Sequence, residues 1–443
     1  MNPTCPRACA RTRRTRPALQ RLRAALPTLL LGASLCGLVQ AAPRTPVGDD
    51  EVIGTLPGGR DPQARQERLL RAAVKAGPSG QAADLGTALH LARQAIGRAR
   101  RDGDPRELGV AQAALAPWWS RPDAPAPVRL LRATIRQSQH AFAPALAELD
   151  ALIAAPTSTG HSSAPGPGVP LEIQAQAELT RITLLQAQGR LQEATTGCAR
   201  LAGERYAALG TATTLPARVC AAELASLQGR DEAADRALRR LAGEHAATTT
   251  DPGLVAWLAL VRAELAERRG DPAARALYRQ ALGQQPDVYT RAAYADWLLD
   301  RRLDTEVLAL TPERLQDLPD ALLLRHAIAL RRLDRPTATA AIDLLQARFD
   351  AARLRGDTLH RREEARHLLE LRDQPAAALP LARAHWAEQK EPADARVLLD
   401  SARAAGQPQA GADVMRHLER TGLRDVRLSP PALAGTPGAA LTR

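Results

Sequence analysis

Residues 258–286 read LALVRAELAERRGDPAARALYRQALGQQP, and this stretch decides the fold. Leu258, Val261 and Leu265 recur at helical spacing and give a first helix one apolar face. Arg269-Gly270-Asp271-Pro272 then compresses a helix stop and a helix start into four residues. Glycine suits the left-handed position just past a helix end, Asp accepts from the free amides of the next helix, and Pro fits the first helical turn, where its missing N–H is no loss. Ala274, Tyr278 and Ala281 follow at i, i+4 and i+7, which puts small side chains where the second helix crosses the first, and Pro286 closes the unit. The stretch predicts a helical hairpin.

The same device recurs outward in both directions. It stands at Arg101-Asp102-Gly103-Asp104-Pro105, Gln188-Gly189-Arg190 and Gln228-Gly229-Arg230-Asp231, and in less regular form at His140, Arg302-Leu303-Asp304, Asp334-Arg335-Pro336, Asp373-Gln374-Pro375 and Gly406-Gln407-Pro408. The step from Gly229 to Gly270 is 41 residues; those from Gly270 to Arg302, Arg302 to Asp334 and Gln374 to Gly406 are 32 each. A fixed period of this size points to stacked supersecondary units. The expected fold is all-α, an α-solenoid of about nine antiparallel helical hairpins over residues 81–422. Scarce aromatics beside abundant Ala, Leu and Arg agree with helices and not sheets.

Within these units the residues resemble the tetratricopeptide repeat (TPR). Ala274, Tyr278 and Ala281 carry the resemblance best. Ile182, Leu185, Gly189, Ala194, Cys198 and Leu201 form a second copy, and Ala145, Leu149 and Leu152 after Phe142 a third, while the family's Trp-Leu-Gly-Tyr signature on the first helix is nowhere complete. More narrowly, the chain looks like secreted Ala- and Arg-rich repeat proteins of high-GC Gram-negative bacteria. The resemblance implies a concave face lined by the first helix of each hairpin, with Thr134, Gln137, Gln176, Thr180, Thr183, Glu223 and Ser226 as candidate partner contacts. The family's clamp for a C-terminal carboxylate needs Asn and Lys in that groove, and neither occurs between Val128 and Gln389. Arg129, Arg132 and Arg136 offer either a bidentate receptor for an acidic peptide or an ordinary solvated helix face.

The charge balance changes once the N-terminus is considered. The chain has 443 residues and 60 Lys+Arg against 48 Asp+Glu, with Lys only at Lys75 and Lys390. Seven of the arginines lie in residues 1–41, which contain no acid, ahead of an uncharged run from Ala24 to Pro43. This pattern reads as a signal peptide over residues 1–41, with Val39-Gln40-Ala41 as cleavage site; retention as an anchor is the alternative. Without it 53 cations face 48 acids, so the apparent basicity belongs to the leader and gives no reason to expect nucleic acid. The expected location is the periplasm, with no transmembrane body. Residues 42–80 read as a flexible linker, 156–170 as a Gly/Pro-rich insertion, and 423–443 as a disordered tail. Cys198 and Cys220 are the two cysteines left after the leader, and in an oxidising compartment they either form one bridge or remain two buried small hydrophobes.

Few residues suggest chemistry. His360, Glu364 and His367 share one helical face and offer a divalent-metal alternative, although Arg362 and Arg366 beside them fit a solvated ion-paired helix. Trp118-Trp119 offers a stacking platform for cell-wall or exopolysaccharide glycan, or else a seal for the first hairpin. Arg355-Gly356-Asp357 is explained by turn chemistry. The sequence has no GxSxG, HExxH, GxGxxG or CxxC, and no Lys in a phosphate-loop context. No cofactor is expected. The functional expectation is a non-catalytic periplasmic scaffold or adaptor that binds a protein or peptide partner.

Overall fold

A computed structural model describes residues 84–158, 168–245 and 251–428. The expected signal peptide and linker, the middle of the 156–170 insertion and residues 429–443 of the expected tail lie outside the described residues. Everything described belongs to one unit of the chain, and it is all-α, with only a single bridge, Thr157 to Val169, closing the neck of the insertion.

The helices come in sequential pairs: α1 (Leu85–Asp102) and α2 (Arg106–Ala114), α3 (Ala126–Ser138) and α4 (Phe142–Ala154), α5 (Leu171–Ala187) and α6 (Leu191–Leu201), α7 (Thr211–Leu227) and α8 (Asp231–His245), α9 (Pro252–Arg268) and α10 (Ala274–Gln284). The series continues with α11 (Val288–Asp300) and α12 (Asp304–Leu310), α13 (Asp320–Arg332) and α14 (Ala338–Leu354), α15 (Arg361–Glu370) and α16 (Pro375–Glu388), and α17 (Pro392–Ala404) and α18 (Ala412–Thr421). Each helix packs on its partner or on the neighbouring pair.

Local chemistry explains where the helices stop. A left-handed residue stands between the members of every pair: Gly103, His140, Gly189, Gly229, Gly270, Arg302, Asp334, Asp373 and Gly406. At seven of these nine turns the residue after it donates its N–H to the carbonyl five positions back, as in Ala141 to Arg136 (2.8 Å), Arg190 to Leu185 (2.9 Å), Asp271 to Ala266 (2.8 Å) and Gln407 to Ala402 (2.9 Å). This closure satisfies carbonyls that the helix end would leave unpaired. Gly356 in the Arg-Gly-Asp tripeptide takes the same conformation, and its successor Asp357 bonds back to the Ala352 carbonyl. At the starts, Asp84, Asp251 and Asp287 accept from backbone amides of the first turn.

The core is a chain of local clusters with one large exception. Ala274, Tyr278 and Ala281 are fully buried between α9, α10 and their neighbours. Cys198 of α6 and Cys220 of α7 form a disulfide inside the cluster that holds Leu185, Leu201 and Leu224. Leu423 joins this same cluster from the far end of the chain.

That return of the C-terminus corrects one expectation. Residues 423–428 of the expected disordered tail are packed: Leu423, Asp425 and Leu428 are buried. The reason is a pair of unused acceptors at the ends of α7 and α9. Arg424 Nη2 donates to the Gly229 carbonyl (2.5 Å), and Val426 its N–H to the Arg268 carbonyl (2.9 Å). Gly229, at φ +76°, lies so close to the Gly422 carbonyl that a Cβ there would collide with that backbone. We refer to Leu423–Leu428 as the strap.

Candidate binding cavity

The odd-numbered helices α5 to α15, the start of α17 and the strap enclose a cavity of about 130 Å³. Its walls carry several carboxylates, and the structure treats them differently.

Asp296 of α11 is fully matched. Arg325 Nη2 reaches it at 2.6 Å and Arg366 Nη1 at 2.9 Å. Burial pushes its carboxyl up, but the two guanidiniums outweigh burial and hold it well below the usual carboxylate range. Glu267 of α9 is matched by the strap: the Tyr278 hydroxyl donates to Oε2 at 2.6 Å and Arg427 Nη1 lies 2.9 Å from Oε1. Burial still raises its carboxyl, against the pull of Arg427.

Glu223, Glu264 and Glu391 are matched poorly. Glu223 of α7 accepts from Gln186 Nε2 (2.6 Å), and Glu264 of α9 from the Tyr289 hydroxyl (2.8 Å); both donors are neutral. Glu391, which caps α17 in a reciprocal box with Asp394, has Arg362 at 3.5 Å, but that guanidinium is shared with Glu363 (3.3 Å) and Asp394 (3.1 Å). Burial and the nearby Glu223 charge push Glu264 up to about 7. Burial and Asp394 push Glu391 up to about 7, against Arg362. Burial raises Glu223 as well. Arg268 stands on the same wall with Nη2 on the Ser226 hydroxyl (2.6 Å) and its buried Nε without a hydrogen-bond partner.

Of the residues expected to contact a partner, Glu223 lines this cavity and Ser226 supports it through Arg268. The others lie elsewhere. Arg129, Arg132 and Arg136 of α3 converge on Glu148 of α4: Arg129 Nε lies at 3.4 Å, Arg132 Nε at 2.9 Å with Nη2 closer still, and Arg136 Nη1 at 3.0 Å. Arg132 Nη1 also donates to the carbonyls of Trp118, Trp119 and Arg121. Of the two readings the sequence left open for them, neither a row of free receptors nor a plain solvated face describes these arginines: all three are held on Glu148, and Arg132 is buried. Thr134 and Thr180 return hydrogen bonds to Leu130 and Gln176 one turn back on their own helices. Gln137 bonds the Thr183 hydroxyl, and Thr183 and Gln176 are exposed.

The two alternatives fare no better as sites. Glu364 is ion-paired with Arg353, and His367 is fully buried with Nε2 3.0 Å from Gln346 Oε1; burial pushes it down to about 4. His360, Glu364 and His367 therefore do not converge, and no cluster of three or more His, Cys, Asp or Glu among the described residues is arranged for a metal. Trp118 is buried in the first core cluster, and Trp119 packs against that cluster with the Arg136 guanidinium 5.8 Å from its ring. Trp118 is thus held in the core, and Trp119 is partly buried.

The sequence named Glu223 and held a signal for two residues it missed, Glu264 and Asp296. Glu223, Glu264 and Asp296 each lie six positions before a left-handed turn residue, at Gly229, Gly270 and Arg302. They occupy one repeat position in three successive hairpins. Carrying the register of Glu223 forward by 41 and then 32 residues finds both. Glu391, Arg362 and Arg427 come from other positions and had no such signal. The sequence matches no family model, and no curated protein is detectably similar to it.

Proposed function

We propose that this chain is a TPR-like α-solenoid of nine antiparallel hairpins, exported to the periplasm, that acts as a non-catalytic scaffold by binding a protein or peptide partner along the face of its odd-numbered helices. The nine left-handed turns, each between two neighbouring helices, support the architecture. Arrays whose units contact mainly their neighbours present extended surface, and such surface serves recognition.

One observation carries the functional part. The face already holds a non-helical peptide segment, the chain's own strap. Backbone and side-chain donors of Val426 and Arg424 meet carbonyls at the ends of α9 and α7, Leu423 enters an apolar cluster, and Arg427 pairs with Glu267. Main-chain hydrogen bonds plus two side-chain anchors are the usual terms of peptide capture. A partner segment of the same kind, an apolar residue followed four positions later by Arg, competes for this place.

The test uses a fluorescent peptide of sequence Thr421–Leu428 and full-length protein. Arg424→Ala with Arg427→Ala weakens the strap's hold while leaving the helices intact by circular dichroism. The labelled peptide is expected to bind this double variant roughly tenfold more tightly than wild type, as removal of an intramolecular competitor predicts. Absence of saturable binding to both proteins refutes peptide capture at this face.

A further inference from the structure

Units of a repeat array touch mainly their sequence neighbours, yet α16, α18 and the loop before α17 also reach the pairs α3–α4 and α5–α6. Lys390, in the loop between α16 and α17, donates its N–H to the Ala187 carbonyl at the end of α5 (2.8 Å). Gln389 places its amide nitrogen 3.2 Å from Nε2 of His140, the left-handed residue between α3 and α4. Gly189, the left-handed residue between α5 and α6, is packed so tightly that a Cβ there would lie 2.9 Å from the Lys390 side chain and 3.0 Å from that of His417. Leu418 of α18 adds an apolar contact to the cluster that holds Leu201. Gln186, Lys390, Glu391 and His417 line the cavity, so this seam is one of its walls.

The seam holds a histidine that its surroundings keep neutral. His417 of α18 is 3% exposed, and Arg420, one turn on, brings Nη2 to 3.3 Å from its Nδ1. A guanidinium has donors only, so this Nδ1 is an acceptor and carries no proton. The His417 ring stands perpendicular to that of Trp386 on α16, and the charged groups facing it are Arg420 and Lys390, both cations. A proton on His417 breaks the bond from Arg420 and sets a third positive charge in a buried place without a counter-charge. His140 is half-buried and stacked on Phe142. It faces His385 and Glu388 of α16 and Arg362 and Glu363 of α15. Burial and the two cations push His417 down to about 4; burial and His385 push His140 down, against the pull of Glu388 and Glu363.

We propose that the seam is an acid-opened gate on the cavity, in which protonation of His417 and His140 drives α18 and the α16–α17 loop away from the turns at His140 and Gly189. The closed form is favoured above about pH 6.5, where His417 is neutral in either form, and loses ground as pH falls towards about 4. Opening uncovers the wall that carries Gln186 and Glu391, so the gate governs access to the cavity whatever occupies it.

Hydrogen–deuterium exchange of the full-length protein at about pH 7.5 and about pH 5, corrected for intrinsic amide rates, reads the seam directly. The segment containing the Lys390 amide is expected to lose protection about tenfold or more at the lower pH, while the core of α11 keeps its own. His417→Gln, which keeps a neutral polar side chain, is expected to remove most of that loss; His140→Gln is the second variant should the first fail to fold. Unchanged protection at Lys390 overturns the proposal. So does an equal loss in α11, which reports the general acid destabilisation to which His326 and His367 contribute, and so does the wild-type loss persisting in a folded variant. The readout needs no ligand, so it stands apart from the outcome with the labelled strap peptide.

Discussion

Two charge clusters, one at the α3–α4 hairpin and one on the cavity wall, resolve in different ways. At the α3–α4 hairpin, one carboxylate, Glu148, is surrounded by three arginines, and the most buried of these, Arg132 at 5% exposure, spends its remaining donors on three carbonyls. On the wall formed by α7, α9 and the start of α17, three carboxylates have one shared guanidinium and two neutral donors. The first cluster keeps an excess of positive charge, but its buried donors are hydrogen-bonded within the framework. The second leaves three carboxylates held mainly by neutral donors, while Arg268, with its buried Nε unpartnered, and Lys390 line the same cavity without an ion pair to any of them among the described residues. Arginine-rich composition does not distinguish them; the arrangement of partners does.

The largest effect that can break this comparison comes from removing Glu148. Glu148→Ala leaves three guanidiniums, one of them buried, without a counter-charge, and urea denaturation is expected to show a loss of about 3–5 kcal/mol. A loss below about 1 kcal/mol means that the first cluster is no more structural than a surface pair. Next is the disulfide, which ties α6 to α7, the helix that carries Glu223. Cys198→Ala with Cys220→Ala releases a loop spanning 22 positions, and unfolding is expected to be easier by about 3 kcal/mol.

The smallest and most specific effect concerns pH. Glu264 and Glu391 sit at about 7 against an ordinary 4.5. Between those values the folded protein holds protons that the unfolded chain has released, so the contribution of these two groups to stability is greatest below about pH 4.5, falls towards about pH 7, and levels off beyond. Partial exposure to the cavity limits the decline to the order of 1–2 kcal/mol. Asp296 and Glu363, kept low by arginines, remain ionised through this window and add no slope, whereas His367 and His417, pushed down by burial to about 4, add an opposite rise below about pH 6.5. Denaturation at pH 5, 6, 7 and 8 should therefore show wild type losing stability relative to Glu264→Gln as pH rises, a difference from which the shared histidines cancel. Parallel curves for the two proteins remove the raised Glu264 from the comparison.

Much of the helical framework was legible because its determinants are local. Gly189, Gly229, Gly270 and Gly406 were readable as helix stops, and His140, Arg302 and Asp334 were found at the same conformation without glycine, since each breaks the apolar period in the same way. Tyr278 was placed at a helix crossing and is fully buried there; that its hydroxyl meets Glu267 depends on rotamer and neighbour, which spacing does not encode. Glu223 was named as a contact, and the repeat register could have extended it to Glu264 and Asp296. The fate of these three acids could not be read the same way. Asp296 is neutralised by Arg366, 70 positions away, and Glu267 by Arg427 from the strap, whereas Glu264 is met by the Tyr289 hydroxyl and forms no ion pair among the described residues.

The sequence by itself determined the helices, their order and the turns between them, because caps and left-handed closures form within about six residues and need no distant partner. The tertiary structure alone decided that residues 423–428 are packed instead of free, that Gly229 must meet Gly422, and which buried carboxylates are answered by arginine. Those outcomes depend on side chains brought together across tens to hundreds of positions. Whether a buried charge is satisfied is a property of its few nearest neighbours, and the fold chooses those neighbours after the local sequence has done its part.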